Sequence, residues 1–191
     1  MLTETYLKTH PAPGPLSTHI RVAGDTMADS WSRLIEVRVW QAVAWLAAPG
    51  DALNEDELRD TLLAMIASAV RSVDGKRLTE TITDPDLLDC IDKATAFRSG
   101  ACTMDDMVAA YRKTSDTTGG PPCGSLVARS AASPSLILRS CFCRAVKCLT
   151  AWAMGGLPEE TYLPDAAKPL YDVYYTVWSS LNNPFQEEEE E

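Results

Sequence analysis

The sequence predicts an all-α protein, a single compact bundle of about six helices around a central apolar helix. Three observations lead there. Apolar residues recur at three- and four-residue spacing in segment after segment. Asn54, Asp84 and Thr103 stand where helix starts need capping oxygens. Strict alternation of apolar and polar residues occurs only briefly, at Ile35 to Val39, inside a longer helical pattern.

Residues 1–26 hold Pro11, Pro13 and Pro15 and little periodicity, and they read as an extended arm. The bundle is expected over residues 27–183, followed by an acidic tail over 184–191. The first helix is predicted from Met27 to Ala47, with Trp31, Ile35, Val39, Ala42 and Leu46 on one face and Pro49 and Gly50 ending it. The second opens on Asn54 with Glu57 three residues later, a capping-box spacing. Its stripe is Leu58, Leu62, Met65, Ile66, Ala69 and Val73, and Asp74 and Gly75 stop it.

The third helix starts at Asp84 with Pro85 in the first turn, where the missing N–H costs nothing. Leu87, Leu88, Ile91 and Ala94 face inward, and Gly100 closes it. The fourth is capped by Thr103, with Asp105 and Asp106 at the positive end of the helix dipole and Met107, Val108 and Tyr111 packing. Residues 114–132, rich in glycine and proline, read as a long loop with room for a short strand or helical turn at Leu126 and Val127. Ser133 and Pro134 open the fifth helix, whose stripe is Ile137, Cys141, Ala145, Cys148 and Trp152 and whose end is Gly155 and Gly156. Its breadth of apolar surface marks it as the central helix. The last helix carries Leu170, Val173, Tyr174, Val177, Trp178 and Leu181 and ends at Asn182, Asn183 and Pro184.

The 191 residues carry 27 acids against 17 bases, a net charge of -10. Five of those acids are Glu187 to Glu191. That balance argues against phosphate-gripping nucleic-acid binders and against docking on anionic membranes. No signal peptide and no membrane span are expected, so the six cysteines read as reduced thiols in a cytoplasmic protein.

Catalytic chemistry finds little footing. Cys141 and Cys148 lie about 10 Å apart along a helix, and Cys143 points to the opposite side, so the three cannot share a tetrahedral ion. Cys123, in the long loop, is the most plausible reactive thiol. The only histidines, His10 and His19, sit in the arm. The acid pairs Glu55 and Glu57, Asp105 and Asp106, and Glu159 and Glu160 are explained by helix starts. Asp89 and Asp92 could add an acidic magnesium site, without the paired glutamates on facing helices that such a site uses. The glycines at 119 and 120 precede prolines and form no phosphate loop. No catalytic residue, cofactor or metal ligand is therefore assigned.

Three local patterns resemble the viral, poxvirus-like branch of the B-cell lymphoma 2 apoptosis-regulator family. Ala132-Ser133-Pro134-Ser135 opens an apolar helix. Arg144 is followed by an apolar stretch and then Gly155-Gly156. Trp178 near the end of the next helix is followed by Leu181 and Asn182. Where the family carries asparagine-tryptophan-glycine before the arginine, this chain has Cys141-Phe142-Cys143. The resemblance implies a helical bundle with a groove for an amphipathic partner helix and a non-enzymatic role in host apoptosis or innate signalling. In that reading Leu58, Leu62, Met65, Met107, Tyr111 and Ile137 supply apolar contacts, and Arg144 pairs with an acid. A homodimer is compatible with it. Two alternatives stay open: an acidic immunity or phage inhibitor protein against a basic toxin or nuclease, and a small helical enzyme using an acidic metal site or Cys123.

Overall fold

The computed structural model describes residues 1–114, 122–153 and 174–186. Among them the regular structure is helical, with two isolated β-bridges, Leu2 to Thr26 and Val70 to Arg77. The elements are α1 (Thr3–Thr9), α2 (Gly14–Ala23), α3 (Met27–Glu36), α4 (Trp40–Ala47), α5 (Glu55–Ser68), α6 (Leu78–Thr81), α7 (Pro85–Arg98), α8 (Met104–Lys113), α9 (Pro122–Ala131) and α10 (Ser135–Ala153). A further helix, α11, covers residues 174–179. The all-α class stands, with more and shorter helices than the apolar stripes suggested. No helix among the described residues is long and apolar enough to cross a membrane.

The first 26 residues are not an extended arm. They form α1 and α2, and Tyr6, Leu7 and Ile20 are buried in the same core as the rest. Pro13 and Pro15 flank the first turn of α2, where proline is tolerated, so prolines that read as helix breakers instead start a helix. Backbone pairing ties the segment back: Met27 N–H donates to Met1 O (3.0 Å) and Thr3 N–H to Asp25 O (2.9 Å). Tyr6 Oη donates to the Gly50 carbonyl. A Cβ on Gly50 would stand 2.5 Å from that hydroxyl, so only glycine permits the approach.

The expected helix from Met27 to Ala47 breaks at residue 38. Arg38 has φ 62°, in the left-handed region. Arg38 N–H donates to Ile35 O and Val39 N–H to Leu34 O, the paired bonds of a Schellman stop. Arginine in the place where glycine usually signals such a stop hides it in the sequence.

The capping box on α5 forms as expected, with Glu57 N–H donating to Asn54 Oδ1 (3.0 Å) and Asn54 N–H to Glu57 Oε2 (2.8 Å). The helix stops at Ser68, however. Val73 lies in a turn beyond it and is 74% exposed, not part of the stripe. Asp84 and Thr103 cap α7 and α8 as expected.

The long loop expected at 114–132 contains α9. Its buried face is Val127, Ala128 and Ala131, continued by Ala132. Small side chains give weak hydropathy contrast, so the period was hidden beside the glycines and prolines. They also allow close approach, and α9 packs against both α7 and α10. In α10 the buried line is Leu138, Phe142, Ala145, Val146, Leu149, Trp152 and Ala153. Ile137, Ser140, Arg144 and Lys147 face outward. The helix therefore has a solvent side, and it packs on α4, α5 and α9. The expected ends at Gly155 and Gly156, and Leu170 and Val173, lie outside the described residues.

Aromatic rings close the bundle. Trp178 meets Trp31 and Phe142 edge-on, each with centroids 6.2 Å apart. Phe185 meets Tyr6 at 5.4 Å and Trp31 at 6.1 Å. Asn183 Nδ2 donates to Ala28 O (2.8 Å), which holds the segment after α11 against α3.

Candidate functional site

The residues expected to line a groove divide into two groups. Leu58, Leu62, Met65 and Met107 are fully buried core residues. α5, which carries three of them, packs directly on α10, so no groove separates these helices. Tyr111 and Ile137, by contrast, come together in an open cleft of about 290 Å³. Arg144 is exposed on the next turns of α10 and does not line it.

The cleft lies between α8, α9 and α10. Tyr111 forms one wall, Leu126 and Arg129 another, and Ile137 and Cys141 the third, with Ser125, Ser130 and Ser133 between them. Ile137 is 39% exposed, a large aliphatic side chain left partly in water. Leu126, Arg129 and Ser130 share a face because they stand three and four residues apart on α9. Ile137 and Cys141 share one on α10 for the same reason.

The polar inventory of the cleft is narrow. Ser130 Oγ donates to Leu126 O and Ser133 Oγ to Ser130 O, both at 2.8 Å. Those protons are committed within the helix and the turn. The Cys141 thiol turns to Leu138 O at 3.4 Å. The charged group is Arg129, whose guanidinium carbon sits 5.3 Å from the Tyr111 ring centre. Stacking on an aromatic face holds a guanidinium flat and leaves its edge free to receive a carboxylate.

Charge is unevenly distributed around this site. α9 and α10 contain Arg129, Arg139, Arg144 and Lys147 and no acid. α8 ends in Arg112 and Lys113. In a chain of net charge -10, α9 and α10 are locally basic. Arg139 is the exception to the outward pattern: it donates to Asp51 Oδ1 (2.6 Å), Ala48 O (2.7 Å) and Leu53 O (3.0 Å), clamping the loop after α4. Its role is structural.

A second, wider depression of about 690 Å³ is lined by Asn54, Glu55, Asp56, Glu57, Asp60, Arg98 and Arg139. Its acids are largely engaged already. Arg98 binds Asp60 through Nε and Nη2 at 2.6 and 2.8 Å and Asp56 at 2.6 Å, while Glu57 caps α5. This fork fastens α7 to α5, so the carboxylates of Asp56 and Asp60 serve the helix packing.

Other candidates for chemistry fall into structural roles. Asp106 caps α8, and its bonds with Thr103 hold the carboxyl below the usual range. Asp89 meets Lys113 at 3.8 Å. His10 stacks on Tyr6 with centroids 4.4 Å apart. Glu159 and Glu160 lie outside the described residues. Cys123 stands in the first turn of α9, not in a loop, and burial pushes its thiol well above the ordinary range. Burial likewise raises Cys143 to about 12 and Cys90 to about 11. Activated thiols show the opposite shift. Among the described residues no group of three His, Cys, Asp or Glu side chains is placed to hold a metal ion.

Sequence reasoning missed Leu126, Arg129 and the three serines. The signal was present once the segment is taken as helical, since the spacing of Leu126, Arg129 and Ser130 then marks one face. No family model matches the chain, and no curated protein and no solved structure matches it either.

Proposed function

We propose that this chain is a non-enzymatic interaction module that docks an acidic amphipathic helix across the cleft between α8, α9 and α10. The observation that carries the reading is the pairing of Ile137, Leu126 and Tyr111 with the stacked Arg129 in a cleft with no acid among its described lining residues. A helix with apolar residues one turn apart and a carboxylate beside them complements both features. The cleft is open, which suits one or two anchoring side chains rather than a small-molecule substrate, whose pockets usually enclose the ligand. The biological role we attach to it is the one the family resemblance implies, modulation of host apoptosis or innate signalling. The contact set differs from the one first expected: Tyr111 and Ile137 remain, and Arg129 takes the role given to Arg144.

Titration calorimetry against amphipathic death-motif peptides tests this reading. Binding is expected to weaken with salt, because Arg129 contributes a partly exposed charge. Ile137→Asp and Arg129→Glu are each expected to reduce affinity by about tenfold or more, or ~1.4 kcal/mol, with unchanged circular dichroism. Equal affinity in both variants would place the partner surface elsewhere. Absence of binding to every death-motif peptide would remove the apoptotic role.

A further inference from the structure

Cys123 and Cys148 meet across the interface of α9 and α10. The Cys123 thiol donates to the Cys148 carbonyl oxygen at 2.8 Å. Standard bond lengths then put the two Cα atoms no more than about 8 Å apart. Disulfides form at Cα separations up to about 6.8 Å, so the two backbones stand close to bridging distance. Cys123 belongs to the first turn of α9, which is held by fewer helical bonds than the interior and yields most easily. Both cysteines are free and only partly buried. The remaining cysteines differ. Cys90 is fully buried, Cys102 donates to Lys93 O, and Cys143 turns to Ala44 O.

We propose that Cys123 and Cys148 are a redox-responsive thiol pair that cross-links the start of α9 to α10. The oxidant is a low-molecular-weight disulfide. One cysteine, as its thiolate, attacks that disulfide, forms a mixed disulfide and releases one small thiol. The second protein cysteine then attacks the protein sulfur of the mixed disulfide and releases the other small thiol. Two protein thiols are oxidised and one small disulfide is reduced to two thiols. The loop closed holds about 25 residues, enough for the bridge to stabilise the fold by restricting the unfolded chain. Burial beside Cys148 raises the Cys123 thiol, so attack through Cys123 is slow near neutral pH and faster in alkali. That behaviour suits a latch set by sustained oxidation, not a rapid sensor. The inference does not depend on the docking cleft.

The full chain incubated with oxidised glutathione tests it by intact mass and peptide mapping. The expected product is about 2 Da lighter than the reduced chain. Free thiols fall from the six in the sequence to four, with one peptide joining Cys123 to Cys148. Its rate rises with pH, and its melting temperature exceeds that of the reduced chain. Cys123→Ser should abolish the internal link and the rise in melting temperature. The double variant Cys141→Ser with Cys143→Ser should retain both. Melting of each variant in its reduced state shows that it is folded. Stable glutathione adducts without a cross-link, or linkage of either cysteine to a different one, would overturn the proposal.

Discussion

Arg59 shows how much a single charged residue can be misjudged from its neighbours. In sequence it stands between Asp56 and Asp60 on an acidic helix start, with nothing to mark it as a core residue. In the fold it is 1% exposed. Its guanidinium donates to the carbonyls of Ala131 and Ser133 and lies 5.7 Å from the centre of the Phe97 ring. These carbonyls end α9 and open the turn into α10, so Arg59 supplies from α5 the partners that a helix C-terminus lacks. Burial pulls its pKa below the usual value, with Asp56 as the main opposing influence. Arg59→Ala would leave two buried carbonyls without donors. A loss of about 3–4 kcal/mol is expected, read as a lower urea midpoint. Arg59→Lys should lose less, because a single ammonium can still reach one carbonyl. A loss below about 1 kcal/mol in the alanine variant would mean water replaces the guanidinium.

The same problem recurs for whole elements, where the stop between α3 and α4 is the instructive case. Arg38 pays the left-handed backbone cost of about 1 kcal/mol that glycine avoids. It regains part through its guanidinium, 5.1 Å from the Tyr175 ring centre and 3.1 Å from Glu36 O. Arg38→Gly should therefore change stability by less than about 0.5 kcal/mol, since strain and stacking offset. Arg38→Val keeps the strain, adds β-branching and loses the stack, and should cost about 2 kcal/mol in thermal or urea unfolding. Elements announced by caps and strong stripes were legible: α5 from Asn54 and Glu57, α7 from Asp84 and Pro85, α8 from Thr103. Elements whose signals are borne by unusual residues were not. Arg38 stands where glycine would mark a stop, prolines start α2, and alanines face the core in α9. The cleft followed the same rule. Tyr111 and Ile137 were visible on helices that could be read, whereas Leu126 and Arg129 depended on a helix hidden by its small residues.

At the scale of the whole molecule, titratable groups are distributed so that burial protects uncharged thiols and phenols. Cys90 and Cys143 are raised to about 11 and about 12, and Tyr6 and Tyr174 are raised too, in each case chiefly by desolvation. In an unfolded chain thiols ionise near 8.5 and phenols near 10. The folded state therefore holds protons that the unfolded state releases. Their contribution is fully present below about pH 8.5 and disappears as pH rises through the folded values. The urea midpoint is expected to be flat from about pH 6 to 8 and to fall from about pH 9 upward. Net negative charge pushes in the same direction, because the chain gains further charge in alkali and repels itself. The two causes separate by substitution. The double variant Cys90→Ala with Cys143→Ala removes buried thiols with little effect on overall charge below pH 9. It should make the decline above about pH 9 shallower without abolishing it, because Cys123 and the two phenols still hold protons that the unfolded chain releases. If the decline is the same in both chains, self-repulsion rather than burial controls the alkaline limit.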